Sequence, residues 1–123
     1  VYRILGTGFI SIRLESSPGL EIAHLLHVSG AEVTLPVIKD GGATFGTMQV
    51  CGTAGQTTFK FSDTYTSFRR QLVSFIDYVR SGIDPYPFAE TVELMSILIA
   101  GITSKNEGGR RVTISEIQSQ LTS

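Results

Sequence analysis

Up to Asp63, apolar and polar residues alternate; beyond it, apolar residues return every three or four positions. Phe9 to Glu15 places Ile10, Ile12 and Leu14 on one face and Ser11, Arg13 and Glu15 on the other, the pattern of a half-buried strand. Ser17-Pro18-Gly19 is a turn signal, and Leu20 to Val28 comes next as the second strand of a hairpin. Gly30 breaks that run. Glu32 to Ile38 alternates again through Val33, Leu35 and Val37. Pro36 inside it points to an edge position or a bulge, because proline brings no N–H to the ladder. Lys39-Asp40-Gly41-Gly42 reads as a turn or loop. Thr44 to Cys51 and Thr57 to Phe61 flank Gly52-Thr53-Ala54-Gly55 and predict a second hairpin.

From Phe68 the apolar residues Phe68, Leu72, Phe75, Ile76 and Val79 form one helical stripe, with Arg69, Arg70, Ser74, Asp77 and Arg80 off it. Thr66 or Ser67 can cap the start, Asp63 can cap it or favour it by charge, and Gly82 can end it. Asp84-Pro85-Tyr86-Pro87 is a connector. A second helix is expected from Phe88 to Ser104. It carries Val92, Leu94, Met95, Ile97, Leu98, Ile99 and Ile102, with a thin polar stripe through Glu93, Ser96 and Thr103, so it reads as buried on more than one side. Asn106 to Gly109 ends it. Arg110 to Ser115 alternates through Val112 and Ile114 as a final strand, and the polar tail after Ile117 is expected to fray. Strands first and helices later give an α+β domain: an open, mostly antiparallel sheet with two helices on one face. The other face is read as carrying residues such as Phe45, Phe59 and Phe61, available for a partner subunit.

Composition narrows the function. At 123 residues the chain suits one domain, and 41% hydrophobic with 17% charged residues is a globular composition. The formal net charge of −1 gives no basic excess for a phosphate backbone, so no nucleic-acid partner is expected. A single cysteine, Cys51, excludes an internal disulfide and fits a reducing, cytoplasmic setting. The longest apolar stretch, Leu94 to Ile102, is about half a membrane span, so no membrane partner is expected. The chain starts at Val1 and shows no secretory leader, which reads as an expressed or processed fragment.

Candidate chemistry is sparse. Gly6-Thr7-Gly8-Phe9-Ile10-Ser11 looks like a dinucleotide fingerprint, which needs a strand, a glycine turn and then a helix. Pro18 and the strand-period residues before it deny that helix, and His27-Val28-Ser29 stand where an acidic residue belongs. The favoured reading is a glycine turn between strands, with no cofactor bound by this chain. His24 and His27 are three apart. On a helix they would share a face and could hold a metal; on a strand they point to opposite faces, so no metal is expected. One of them could line a substrate pocket. The other reading is a surface histidine and a hydrogen-bonded one. Cys51 lacks a base partner and reads as a small packing residue.

Several motifs resemble one family. Ser67-Phe68-Arg69-Arg70-Gln71-Leu72 through Gly82, then Pro85 and Pro87, is similar to a characteristic helix of the glucose-fructose oxidoreductase, inositol dehydrogenase and MocA (Gfo/Idh/MocA) oxidoreductases. Glu90-Thr91-Val92-Glu93-Leu94-Met95 followed by Ala100-Gly101-Ile102-Thr103-Ser104 resembles their next helix. Glu107-Gly108-Gly109-Arg110-Arg111-Val112 resembles the closing turn and strand, and Gly52-Thr53-Ala54-Gly55 their hairpin. The resemblance spans Thr44 to Ile117.

It implies an N-terminal nucleotide-binding domain upstream and residues 1–123 as a single C-terminal α+β domain. The sheet's exposed face would form a homo-oligomer and its helical side would help shape the substrate site. The reaction implied is hydride transfer between NAD(P) and a hydroxyl of a sugar or cyclitol. The family's catalytic lysine, aspartate and histidine have no counterpart here; Lys39 and Lys60 lie outside that motif. The chain therefore reads as a substrate and oligomerisation domain without catalytic residues. His24, His27, Lys39 and Tyr65 are the candidates to touch substrate. The alternative is a stand-alone, non-enzymatic oligomeric interaction module.

Overall fold

The computed structural model describes residues 1–40, 46–60 and 62–121. Among them the elements run α1 (Tyr2–Leu5), β1 (Phe9–Ser17), β2 (Leu20–His27), β3 (Glu32–Ile38), β4 (Thr47–Gly52), β5 (Gly55–Lys60), α2 (Thr64–Ser81), α3 (Phe88–Asn106), β6 (Val112–Thr113) and α4 (Ile114–Leu121). This is the α+β class, with every strand pairing antiparallel. Thr44, Phe45 and Phe61, expected at strand ends, and the Gly41-Gly42 turn lie outside the described residues.

The chain divides into two compact units, Val1–Asp40 with Tyr86–Ser123, and Gly41–Pro85. The first holds a four-stranded sheet in the order β3-β2-β1-β6. Phe9, Ile12 and Leu25 from the sheet, Ala100 from α3, Val112 from β6, and Ile114 and Ile117 from α4 form its core. Ile10 does not join Ile12 on the inner face as simple alternation predicts. The β1–β2 register shifts between Phe9 and Ser11, and this bulge turns Ile10 outward.

Pro36 stands on the edge strand, as expected. The Lys39 N–H donates to the Gly19 carbonyl and the His27 N–H to the Ala31 carbonyl, both at 2.9 Å. In the alternating antiparallel ladder those bonds put Pro36, opposite Ile22, in a pair whose backbone groups point away from β2. The proline therefore costs the sheet no bond.

The closing segment corrects the sequence reading. The strand is only Val112–Thr113, and Ile114–Leu121 is a helix, not a fraying tail. Ile114 and Ile117 are three apart, a helical step, and both are buried. Thr113 Oγ1 accepts from the Glu116 N–H at 3.2 Å and so caps the turn. Arg110 clamps Glu116 through both carboxylate oxygens, at 2.6 and 3.1 Å, and also bonds Glu107.

α3 carries the larger surprise. Its polar stripe is not the exposed remnant of a buried helix but the side that packs on the sheet. Ser96, Ala100, Gly101 and Ser104 are buried, while Leu94, Met95, Leu98, Ile99 and Ile102 are exposed. Small residues let the helix backbone approach β1 closely: a Cβ added at Gly101 would stand 3.3 Å from Ile12 Cδ1. Ser104 bridges the layers. Its Oγ accepts from the Leu14 N–H at 2.9 Å and donates to the Arg110 carbonyl at 2.6 Å.

In the second unit, β4 and β5 form a separate two-stranded sheet, joined by Thr53-Ala54. Phe59 belongs to this hairpin and not to the open face of the larger sheet, which corrects its placement. α2 starts at Thr64, earlier than its apolar stripe predicts. Of the candidate caps, Asp63 is used: its carboxylate accepts from the Thr66 N–H at 2.9 Å, which holds its pKa below the ordinary aspartate value. Gly82 closes α2 with φ 68°, a left-handed cap. Among the described residues no helix is long and apolar enough to cross a membrane.

Candidate functional site

The glycine loop is where a cofactor would be sought first. Gly6 and Gly8 do take positive φ, at 78° and 112°. The loop is preceded by the single turn α1 instead of a strand, and it leads into β1 instead of a helix. The loop amides are nonetheless an anion site. The Gly8 and Phe9 N–H groups donate to Glu93 Oε1 at 2.7 and 2.8 Å, and the Tyr2 hydroxyl reaches Oε2 at 3.3 Å. Glu93, delivered from α3, thus accepts from both loop amides. Burial, and then the nearby charge of Glu93 and Glu90, pushes the Tyr2 pKa up to about 12. Glycine is required at Gly8 for a second reason: a Cβ there would meet Val28 Cγ1 at 2.8 Å.

His27 completes this knot. It is buried, and Phe9 lies between it and Tyr2, with ring centroids 5.1 and 6.0 Å away respectively. The Thr7 carbonyl, 2.8 Å from Nε2, can only accept, so Nε2 carries the proton. Nδ1 then accepts from the Ser29 N–H at 3.2 Å, with Ser29 Oγ at 2.9 Å. Both ring nitrogens are committed to the fold.

His24 faces the opposite side of β2, as strand geometry requires, and its Nδ1 lies 3.4 Å from Thr34 Oγ1. The two histidines therefore share no metal-binding face. Lys39 lies at the far end of the hairpin, 3.2 Å from Glu21 Oε1, to which Lys105 also pairs at 2.5 Å. Lys105 first, and Lys39 second, hold the Glu21 carboxyl below its ordinary pKa. Tyr65 belongs to the other unit, exposed in the first turn of α2. Within the first unit the three candidates do not converge: His24 looks onto the open sheet face, His27 into the core, and Lys39 into an ion-pair cluster.

The open face holds one concavity that no sequence motif announces. It is a hollow of about 230 Å³, lined chiefly by Ser11, Arg13, His24, Glu32, Thr34 and Arg111. These residues come from four strands or strand ends and align only because of the register. Arg13 stands opposite His24, and His24 opposite Thr34. Ser11 pairs with Thr113, so the same register carries Arg111 opposite Arg13. The polar set of alternating positions is readable from the strands; the cross-strand row is not.

The fold and this hollow define an α+β domain with a polar recess on an open antiparallel sheet. No family model, curated protein or solved structure matches the chain.

Proposed function

We propose that this chain is the substrate-binding and oligomerisation domain of an NAD(P)-dependent sugar or cyclitol dehydrogenase of the Gfo/Idh/MocA kind, cytoplasmic, and not catalytic by itself. The observation that carries the reading is the reversed packing of α3. A helix with small and polar residues against its sheet and Leu94, Met95, Leu98 and Ile102 outward is a layer made to be covered again. Such a layer suits a domain that works beside another one. The glycine loop supports the same division of labour, because its amides already hold Glu93 and leave the cofactor to a nucleotide-binding domain preceding Val1. Self-association through the open sheet face belongs to this reading, with a dimer or tetramer as the product.

The test has two arms. Titration of the chain with NADH and NADPH, followed by nucleotide fluorescence, is expected to show no saturable binding; micromolar affinity overturns the proposal. The coding sequence upstream of Val1 is expected to encode a βαβ unit with its own glycine motif. A start codon at Val1 would instead favour a stand-alone interaction module.

A further inference from the structure

The hollow on the open sheet face has an unusual floor. Ser11 is only 3% exposed, and its hydroxyl makes no hydrogen bond to any described residue. The hydroxyl is not sealed off from water, and Ser11 lines the hollow. The charges above it are not balanced evenly. Arg13 is spent within the protein, on Glu15 at 2.9 Å and on the Gly109 carbonyl at 3.1 Å. Arg111 offers only its backbone carbonyl to Arg110; its guanidinium has no partner among the described residues. Two arginines directly opposite across a sheet repel each other, so the pair itself adds no stability to the fold. At the other rim, Glu32 has no ion pair among the described residues, and Thr34 and His24 offer hydroxyl and imidazole.

We propose that this hollow binds a small hydroxylated carboxylate, its carboxylate on Arg111 and the Ser11 hydroxyl and its hydroxyl groups toward His24, Thr34 and Glu32. One free guanidinium matches one negative charge, and its planar fork suits a carboxylate. A phosphate dianion would bring a second charge toward Glu15 and Glu32 with no second free cation to meet it. The volume of about 230 Å³ suits a molecule of a few carbons. The site is built wholly from one chain. It stands whether or not the parent protein is a dehydrogenase, and it requires the hollow to stay open where copies of the chain meet through this face.

Calorimetric titration of the full chain with D-glycerate tests it, with glycerol and inorganic phosphate in parallel. Saturable glycerate binding is expected, weakened about tenfold or more in Arg111→Gln, the loss of one charge-assisted pair. Ser11→Ala should weaken it by a smaller factor. The Arg111 guanidinium makes no hydrogen bond or ion pair among the described residues, so circular dichroism of Arg111→Gln should match that of the parent. The proposal is overturned by absence of glycerate binding, by binding that both substitutions leave unchanged, or by glycerol or phosphate binding as tightly as glycerate. Failure here leaves the NAD(P)H titration and the upstream coding sequence to decide the parent enzyme separately.

Discussion

Removing the carboxylate that holds the glycine loop gives the sharpest test of how the fold is tied together. Glu93→Ala deletes the acceptor of the Gly8 and Phe9 N–H groups, at 2.7 and 2.8 Å. Hydrogen bonds to a charged group contribute about 1.5–3 kcal/mol each, so the pair amounts to about 3–6 kcal/mol before relaxation. The site is half-buried, and water can reach part of what is stranded. The Tyr2 contact, at 3.3 Å, is long and adds little. Alanine also gains a few tenths of a kcal/mol as a helix former. The expected net loss is about 2–4 kcal/mol. In urea, with a slope of about 2 kcal/mol per molar, the unfolding midpoint should fall by about 1–2 M. Glu93→Gln is the informative control. Its amide oxygen can still accept both N–H groups, so only the charge is lost and about 1 kcal/mol should go. Hydrogen exchange should show the Gly8 and Phe9 amides losing protection in the alanine variant while the β2–β3 ladder keeps its own. A Glu93→Ala protein within about 0.5 kcal/mol of the parent would rule out a tethering role for the carboxylate. A glutamine variant as damaged as the alanine one would instead assign the tether to the negative charge and not to the two accepted hydrogen bonds.

Two further outcomes rest on the same packing. Ser104→Ala should destabilise by about 1–2 kcal/mol, because it removes the partner of the part-buried Leu14 N–H and of the Arg110 carbonyl together; chemical denaturation measures it, and a loss under about 0.5 kcal/mol would contradict the bridging role. Alkaline unfolding should report Tyr2. Its folded pKa, pushed up to about 12, lies above the ordinary tyrosine value of 10.0, so the folded state holds the proton more tightly. That contribution is complete below about pH 10 and is lost as pH rises toward 12. Tyr2→Phe should flatten this part of the stability curve, and an unchanged curve would show that another group governs it.

Much of the architecture can be read along the chain because strand and helix periods are local properties. Glu32–Ile38 is bounded to the residue, since Gly30 before it and Lys39-Asp40 after it interrupt the alternation. Gly82 announces the end of α2 in the same way. The misreadings share a cause. Alternation places Ile10 inward because it assumes an unbroken pleat, and a bulge is set by the partner strand. Val112, two residues before Ile114, suggests a strand there, although Ile117 lies three after it and the helix wins once both isoleucines reach the core. Hydrophobicity orients α3 with its large side chains inward. Its actual orientation is set by size, since Ala100 and Gly101 bring the backbone close to Ile12 in a way leucine cannot. The hollow around Ser11 depends on which residues stand opposite one another across four strands. Register of that kind is a long-range property that a single strand does not encode.

Pro36 constrains how copies of this domain can meet. A strand at the rim of a sheet normally offers a row of outward N–H and C=O groups on which another strand can dock, the route to runaway, fibre-like stacking. Here the outward N–H in the middle of β3 has been deleted without loss to the ladder inside. A docking strand would have to skip a bond halfway along. Growth by adding strands at that rim is thus discouraged by a single residue.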